Sequence, residues 1–143
     1  MAETVSSILR HKGHHVWSVS PDDSVLQAIG IMADKGIGAL MVIAGETLVG
    51  IVSERDYARK VVLLGRSSTE TQVNAIMSSK VISVTPKQDA NDCMRLMTDR
   101  RIRHLPVVVG ERVVGVLSIG DLVRAVIMEQ ERTIADLETY IRG

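Results

Sequence analysis

The stretch "GIVSERDYARKVV", residues 50–62, returns sixty-five residues later as "GVLSIGDLVRAVI", residues 115–127. In each, an apolar run stops at Gly-h-h-Ser (h apolar), passes two residues and sets an Asp at the start of a helical pattern. Sliding the sequence against itself at this offset aligns Ser18 to Val62 with Ser83 to Ile127 without a gap, and 16 of the 45 positions are identical. About three matches would arise by chance, so the chain carries an internal duplication. The identities fall where they punctuate structure: Pro21 with Pro86, Met32 with Met97, Leu40 with Leu105, Gly45 with Gly110, Gly50 with Gly115, Ser53 with Ser118, and Asp56 with Asp121.

Each copy reads as strand, helix, strand, strand, helix. The segment Ser24 to Lys35 places Val25, Ala28, Ile29, Met32 and Ala33 on one helical face, and Ala90, Cys93, Met94 and Met97 repeat the stripe. The β-branched runs "ALMVI" and "LVGIVS" flank Gly45-Glu46-Thr47, and "LPVVV" and "VVGVLS" flank Gly110-Glu111-Arg112, which predicts two hairpins. A second helix is expected from Asp56 and from Asp121. A unit of about 60 residues hides little surface alone, so the copies are expected to pack together with pseudo-twofold symmetry in an α+β fold. The boundaries follow as a first repeat over 5–62, a Gly, Ser and Thr-bearing linker over 63–72, a second repeat over 73–128 and a C-terminal helix over 129–143. That last helix sets Ile134, Leu137 and Ile141 on one stripe that seeks cover.

Composition narrows the function. Seventeen Lys and Arg balance seventeen Asp and Glu, so no global field gathers nucleic acid or an anionic membrane. Three aromatic residues, Trp17, Tyr57 and Tyr140, are too few for base stacking to be a main theme. No apolar stretch approaches the roughly 20 residues needed to span a bilayer, and "MAETVSSILRHKGHH" lacks the pattern of a signal peptide. The one cysteine, Cys93, has no partner in the chain and sits on an apolar helix face, which fits a reducing compartment, here the cytoplasm. His11, His14 and His15 read as a polar N-terminal segment, with no ligand pattern around them that would hold a metal.

The Val-Ser-Pro lead-in, the hairpin of the form Leu-Pro-Val-Val-x-Gly and the Gly-h-h-Ser-x-x-Asp-h close resemble the cystathionine β-synthase (CBS) domain, and two in tandem resemble a Bateman module. "KGHHVW", "GIVSERDYARKVV", "GRSS" and "RIRHLPVV" look most like stand-alone CBS-pair proteins. The resemblance implies two βαββα repeats forming one disc, with two clefts that take adenine nucleotides such as AMP, ADP, ATP or NAD. It implies that the Asp of Ser-x-x-Asp meets the ribose hydroxyls and the Ser lies near the phosphates. One cleft would then use Ser53, Arg55 and Asp56 with Ser83, Ile102, Arg103 and His104, and the other Ser118 and Asp121 with Ser20, Ile37 and Gly38. It also implies a homodimer.

The residue types suit that chemistry. An ionised carboxylate offers paired acceptors to a vicinal diol, and a strand ending in Ser before a helix presents a hydroxyl and free N–H groups together. Ser-x-x-Asp is also a variant capping box, in which the two side chains satisfy backbone donors. The run Arg100, Arg101, Arg103 and His104 reads alone as a solvated face, yet in the repeat frame Arg103 and His104 align with Gly38 and Ala39, so the two clefts are expected to be unequal. No Gly-x-Ser-x-Gly, Gly-x-Gly-x-x-Gly or phosphate-loop signature is present, so no enzymatic activity is expected. The expected function is a regulatory module reporting nucleotide occupancy to an unknown regulated protein or to its own assembly. The alternative is a protein-interaction scaffold with vestigial clefts, acting through the C-terminal helix.

Overall fold

The duplication folds as two versions of one hairpin, seen in a computed structural model that describes residues 3–142. In the first, β2 (Ala39–Ala44) pairs antiparallel with β3 (Thr47–Ser53), from Ala39↔Ser53 to Ala44↔Thr47, with a register irregularity between Val42 and Ile43. The turn is the two residues Gly45-Glu46, and Gly45 takes φ +64°, a conformation that costs glycine nothing. β1 (Ser18–Val19) adds in parallel on the other edge of β2, matching Ser18 to Met41 and Val19 to Val42. Ala39 to Val42 are buried on both faces of the sheet, as an unbroken apolar run requires.

In the second version β4 (His104–Val109) and β5 (Arg112–Ser118) form the hairpin, and the lead-in shrinks to one parallel bridge, Val84↔Val107. Pro106 stands where the first copy has Met41. The Met41 N–H donates to the Trp17 carbonyl at 3.2 Å, and a proline has no N–H for the matching bond.

The helices begin and end alike but with different chemistry. α2 (Val25–Lys35) is opened by a capping box in which the Gln27 N–H donates to Ser24 Oγ at 3.1 Å and the Ser24 N–H to Gln27 Oε1 at 2.9 Å. α4 (Ala90–Arg100) is opened by Asp89, which accepts from the Asp92 N–H at 2.8 Å. α2 closes on Gly36 at φ +64°, with the N–H groups of Gly36 and Ile37 both on the Met32 carbonyl. α4 closes the same way on Met97, but with Arg101 at φ +55°, the one non-glycine residue of positive φ among the described residues.

Two compact units result. One holds Val16–Ile82 with Gly110–Val113; the other holds Ser83–Val109, the chain from Val114 onward and the N-terminal residues through His15. They are called here the Asp56 unit and the Asp121 unit. The sequence division placed residues 5–15 with the first repeat; in the structure they fold with the second. A helix not anticipated from sequence, α1 (Val5–Lys12), is capped by Thr4 and buries Val5, Ile8 and Leu9 in the Asp121 unit. The Val5 and Ser6 N–H groups donate to the carbonyls of Gln88 and Pro86, and the Ala90 N–H to that of Glu3. In the Asp56 unit the corresponding places are taken by Val73, Ile76 and Met77, around the 3₁₀ turn Val73–Ala75. "VSSILRHK" at 5–12 and "VNAIMSSK" at 73–80 are therefore equivalent segments, each folded into the unit opposite to its sequence repeat.

The cores keep the register of the duplication. Val19, Ala28, Met32, Leu40, Val42 and Val52 of the Asp56 unit match Val84, Cys93, Met97, Leu105, Val107 and Leu117 of the Asp121 unit, all buried. The linker is not slack. The Val25 and Leu26 N–H groups donate to the carbonyls of Thr71 and Ser68, and the Tyr57 hydroxyl lies 3.1 Å from Ser68 Oγ.

Candidate functional site

Both Ser-x-x-Asp segments form a corner where the second hairpin strand turns into a helix. The helices start two residues earlier than expected: α3 spans Glu54–Tyr57 and α5 spans Ile119–Arg142, with each Asp in the first turn. In the Asp56 unit the Asp56 N–H donates to Ser53 Oγ at 3.1 Å, while the Ser53 N–H and hydroxyl donate to Asp56 Oδ2 at 2.9 and 3.0 Å. The capping box weighed from sequence is thus formed, and it fixes the carboxylate by one oxygen. The other oxygen, Oδ1, lies 3.3 Å from Lys60 Nζ, four residues along, on a side chain 44% exposed that also donates to the Ile76 carbonyl at 2.8 Å.

The Asp121 corner repeats the cap and differs in its cations. The Ser118 N–H donates to Asp121 Oδ2 at 2.8 Å and the Asp121 N–H to Ser118 Oγ at 3.2 Å. Lys12, the last residue of α1, adds a 2.6 Å ion pair to Oδ2 and also donates to the Val116 carbonyl, while Arg124 donates to Oδ1 at 2.8 Å. The Asp121 side chain is 6% exposed. Burial pushes its carboxyl upward, but hydrogen bonds from Lys12 and from the Ser118 N–H, with the Lys12 charge, outweigh that and hold it below the ordinary range. Lys12 was not singled out in the sequence; its trace there is the match between Lys12 and Lys80 in the two exchanged segments.

Each corner also receives the first strand of its own hairpin. The Glu54 N–H donates to the Gly38 carbonyl and the Ile119 N–H to the Arg103 carbonyl, both at 3.0 Å. Gly38 therefore stands beside Ser53 and Asp56, and Arg103 beside Ser118 and Asp121. Ile37, Ile102 and His104 are half-buried, and Arg55 and Arg103 are exposed. Ser20 and Ser83 are exposed, just after β1 and just before the Val84 bridge, with the Ser20 N–H held by Asp23 Oδ2 at 2.9 Å.

The helices then diverge. α3 passes into a single π turn, Ala58–Val62, and ends in a turn with Gly65 at φ +65°. Beyond Gly120 in its first turn, α5 meets no glycine or proline and runs on for 24 residues in all, so the C-terminal helix expected over 129–143 is the continuation of the second repeat's last helix rather than a separate element; Gly143 lies outside the described residues. Ile134, Leu137 and Ile141 are exposed along it. Cys93 is fully buried, and burial, with Asp92 and Asp89 nearby, pushes its thiol up to about 11, so it is inert as a nucleophile. Among the described residues no helix is long and apolar enough to cross a membrane.

Comparison with known proteins places these corners in a family. The CBS domain matches residues 5–63 and 73–128. The CBS domain-containing protein CBSX3, mitochondrial, of Arabidopsis thaliana is 42% identical over 98% of this chain and 72% of its own length. A CBS-domain protein from Burkholderia ambifaria MC40-6 has a solved structure that is 52% identical and superposes with a TM-score of 0.84 over 89% of this chain and 96% of its own. The CBS domain pair of protein MJ0100, solved with 5′-methylthioadenosine and S-adenosyl-L-methionine, shares the fold at 23% identity and a TM-score of 0.80, covering 90% of this chain and 99% of its own.

Proposed function

Since this chain belongs to the CBS-domain family in both of its repeats, we propose that it is a non-enzymatic regulatory module that binds an adenine nucleotide, AMP, ADP, ATP or NAD, at its Ser-x-x-Asp corners. Ser53, Arg55, Asp56, Ser118 and Asp121 provide the central contacts in this reading. Ser20, Ile37, Gly38, Ser83, Ile102, Arg103 and His104 complete them. The observation that carries the reading is the Asp56 corner. Its carboxylate is oriented by Ser53 through one oxygen, and the other oxygen takes a 3.3 Å ion pair from a half-exposed lysine. A ribose diol can replace such a surface pair at little cost.

Thermal unfolding with AMP, ADP, ATP, NAD and S-adenosylmethionine tests the proposal, because a ligand at 100 times its dissociation constant stabilises the folded state by about 2.7 kcal/mol. Asp56→Ala is expected to weaken binding at its corner by about 1.5–3 kcal/mol, read by calorimetry. A variant that loses stability but keeps wild-type affinity would leave Asp56 as a cap and nothing more.

A second reading, a scaffold acting through the last helix, is favoured by the exposed apolar residues Ile134, Leu137 and Ile141. Independently of which reading holds, the family and the same stripe lead us to propose a homodimer, which sedimentation at micromolar concentration tests; a monomer there removes the dimer. The inert buried thiol supports a reducing compartment, and the cytoplasm is the location proposed. Fractionation of cells expressing the chain checks this, and recovery with organelles would overturn it.

A further inference from the structure

We infer that Lys12 is a built-in occupant of the Asp121 corner, a tethered cation that a nucleoside must displace before it can bind there. The inference rests on the reading of the corners as nucleotide sites. A carboxylate oxygen has about two acceptor positions. At Asp121 both positions of Oδ2 are filled, one by the Ser118 N–H at 2.8 Å and one by Lys12 Nζ at 2.6 Å, while Oδ1 takes Arg124 at 2.8 Å. A vicinal diol that spans both oxygens needs an acceptor on each. The Ser118 N–H belongs to the end of β5 and stays. The lysine, at the tip of a flexible stem 34% exposed, can leave.

What presents the lysine is the helix behind it. Leu9, 2% exposed, lies over Gly115, where an added Cβ would come within 2.7 Å of Leu9 Cδ2, so the missing side chain is what lets α1 reach the strand. Val5 and Ile8 are buried in the same unit. Lys12 thus acts at the high local concentration of a tethered competitor. Occupancy of this corner would be converted into release of the C-terminal end of α1. At Asp56 the second position of Oδ2 is taken by the Ser53 hydroxyl, a neutral donor that can rotate away, and the ion pair comes from Lys60 on the corner's own helical segment.

The test uses the full chain carrying Asp56→Ala, so that the Asp121 corner alone is read, with adenosine as the probe because it has the diol and no phosphate. Adding Lys12→Met is expected to raise adenosine affinity at least tenfold. Lys12→Gln, which keeps a neutral donor for the Val116 carbonyl, is expected to move it in the same direction and guards against misfolding by the first variant. Hydrogen exchange of the α1 amides in the Asp56→Ala chain is expected to speed up at saturating adenosine. Unchanged or weaker binding in both lysine variants, while the wild type binds adenosine, overturns this inference alone. A loss of AMP affinity on Lys12→Met, which would make the lysine a phosphate partner, overturns it as well. No binding of adenosine or AMP to the wild type or to any variant overturns the nucleotide reading and this inference with it.

Discussion

The Asp56 and Asp121 corners share a spacing, a cap and a strand-to-helix turn, and they differ in what answers the carboxylate. At Asp56 the cation is Lys60, four residues on, half-exposed and shared with the Ile76 carbonyl. At Asp121 one cation is local, Arg124, and the other, Lys12, arrives from a helix 109 residues away in sequence. Local sequence therefore builds the corner twice, and the segment that the fold brings alongside decides how exposed its charge is. An identical motif does not make an identical site.

Removing the carboxylates breaks the comparison most sharply. Asp121→Ala strips two cations and a backbone N–H of their acceptor in a buried place and is expected to cost about 3 kcal/mol. Asp56→Ala loses a cap and is expected to cost about 1 kcal/mol. Denaturant midpoints of the two variants check this, and equal losses would show that Lys12 adds nothing. The same contrast has a pH axis. With its folded-state carboxyl below the ordinary 3.8, Asp121 binds fewer protons folded than unfolded, so its contribution is fully present above about pH 4 and is lost as pH falls through the folded value. Asp121→Asn is expected to flatten stability against pH in that acid range, read by unfolding between pH 2 and 5.

Gly115→Ala tests how the lysine is delivered. The new methyl group meets Leu9, which is buried, and is expected to cost about 2 kcal/mol and to loosen α1, visible as faster amide exchange over residues 5–12. Gly50→Ala meets Met77 and the Ser78 carbonyl instead and is expected to leave α1 exchange unchanged. The smallest effect has the opposite sign. Arg101→Gly relieves a left-handed residue and is expected to stabilise by about 1 kcal/mol, whereas Gly36→Arg at the equivalent cap costs about as much. Thermal melts of this pair decide whether the strain at Arg101 is real.

Much of the fold was legible because it is written in short range. The β-branched runs "ALMVI" and "LVGIVS" on either side of Gly45-Glu46-Thr47 give the hairpin, the stripe through Val25, Ala28 and Met32 gives α2, and the offset of 65 gives the second copy. The two corners were legible for the same reason, since Ser53 and Asp56 are three residues apart. What escaped depends on distance or on the end of a pattern. α1 is a short helix whose buried residues are covered by distant parts of the chain, Leu9 by Gly115 more than a hundred residues on, so Lys12 looked like part of a polar tail. The length of α5 was hidden because nothing in the sequence joins its first turn to the stretch from 129 on, which reads as a helix in its own right. Arg101 escaped because nothing in the letter Arg announces positive φ; only the alignment with Gly36 hints at it.

The uninterrupted α5 has a mechanical consequence. Asp121 sits in its first turn and Ile141 near its last, so the charged corner and the exposed apolar stripe are two ends of one rod, about 30 Å apart at 1.5 Å per residue. A tilt of only about 5° at the corner end sweeps the far end through about 2.6 Å, roughly half a helical turn. The helix is thus a lever whose short arm lies at the carboxylate and whose long arm carries the surface on which a partner would feel the motion.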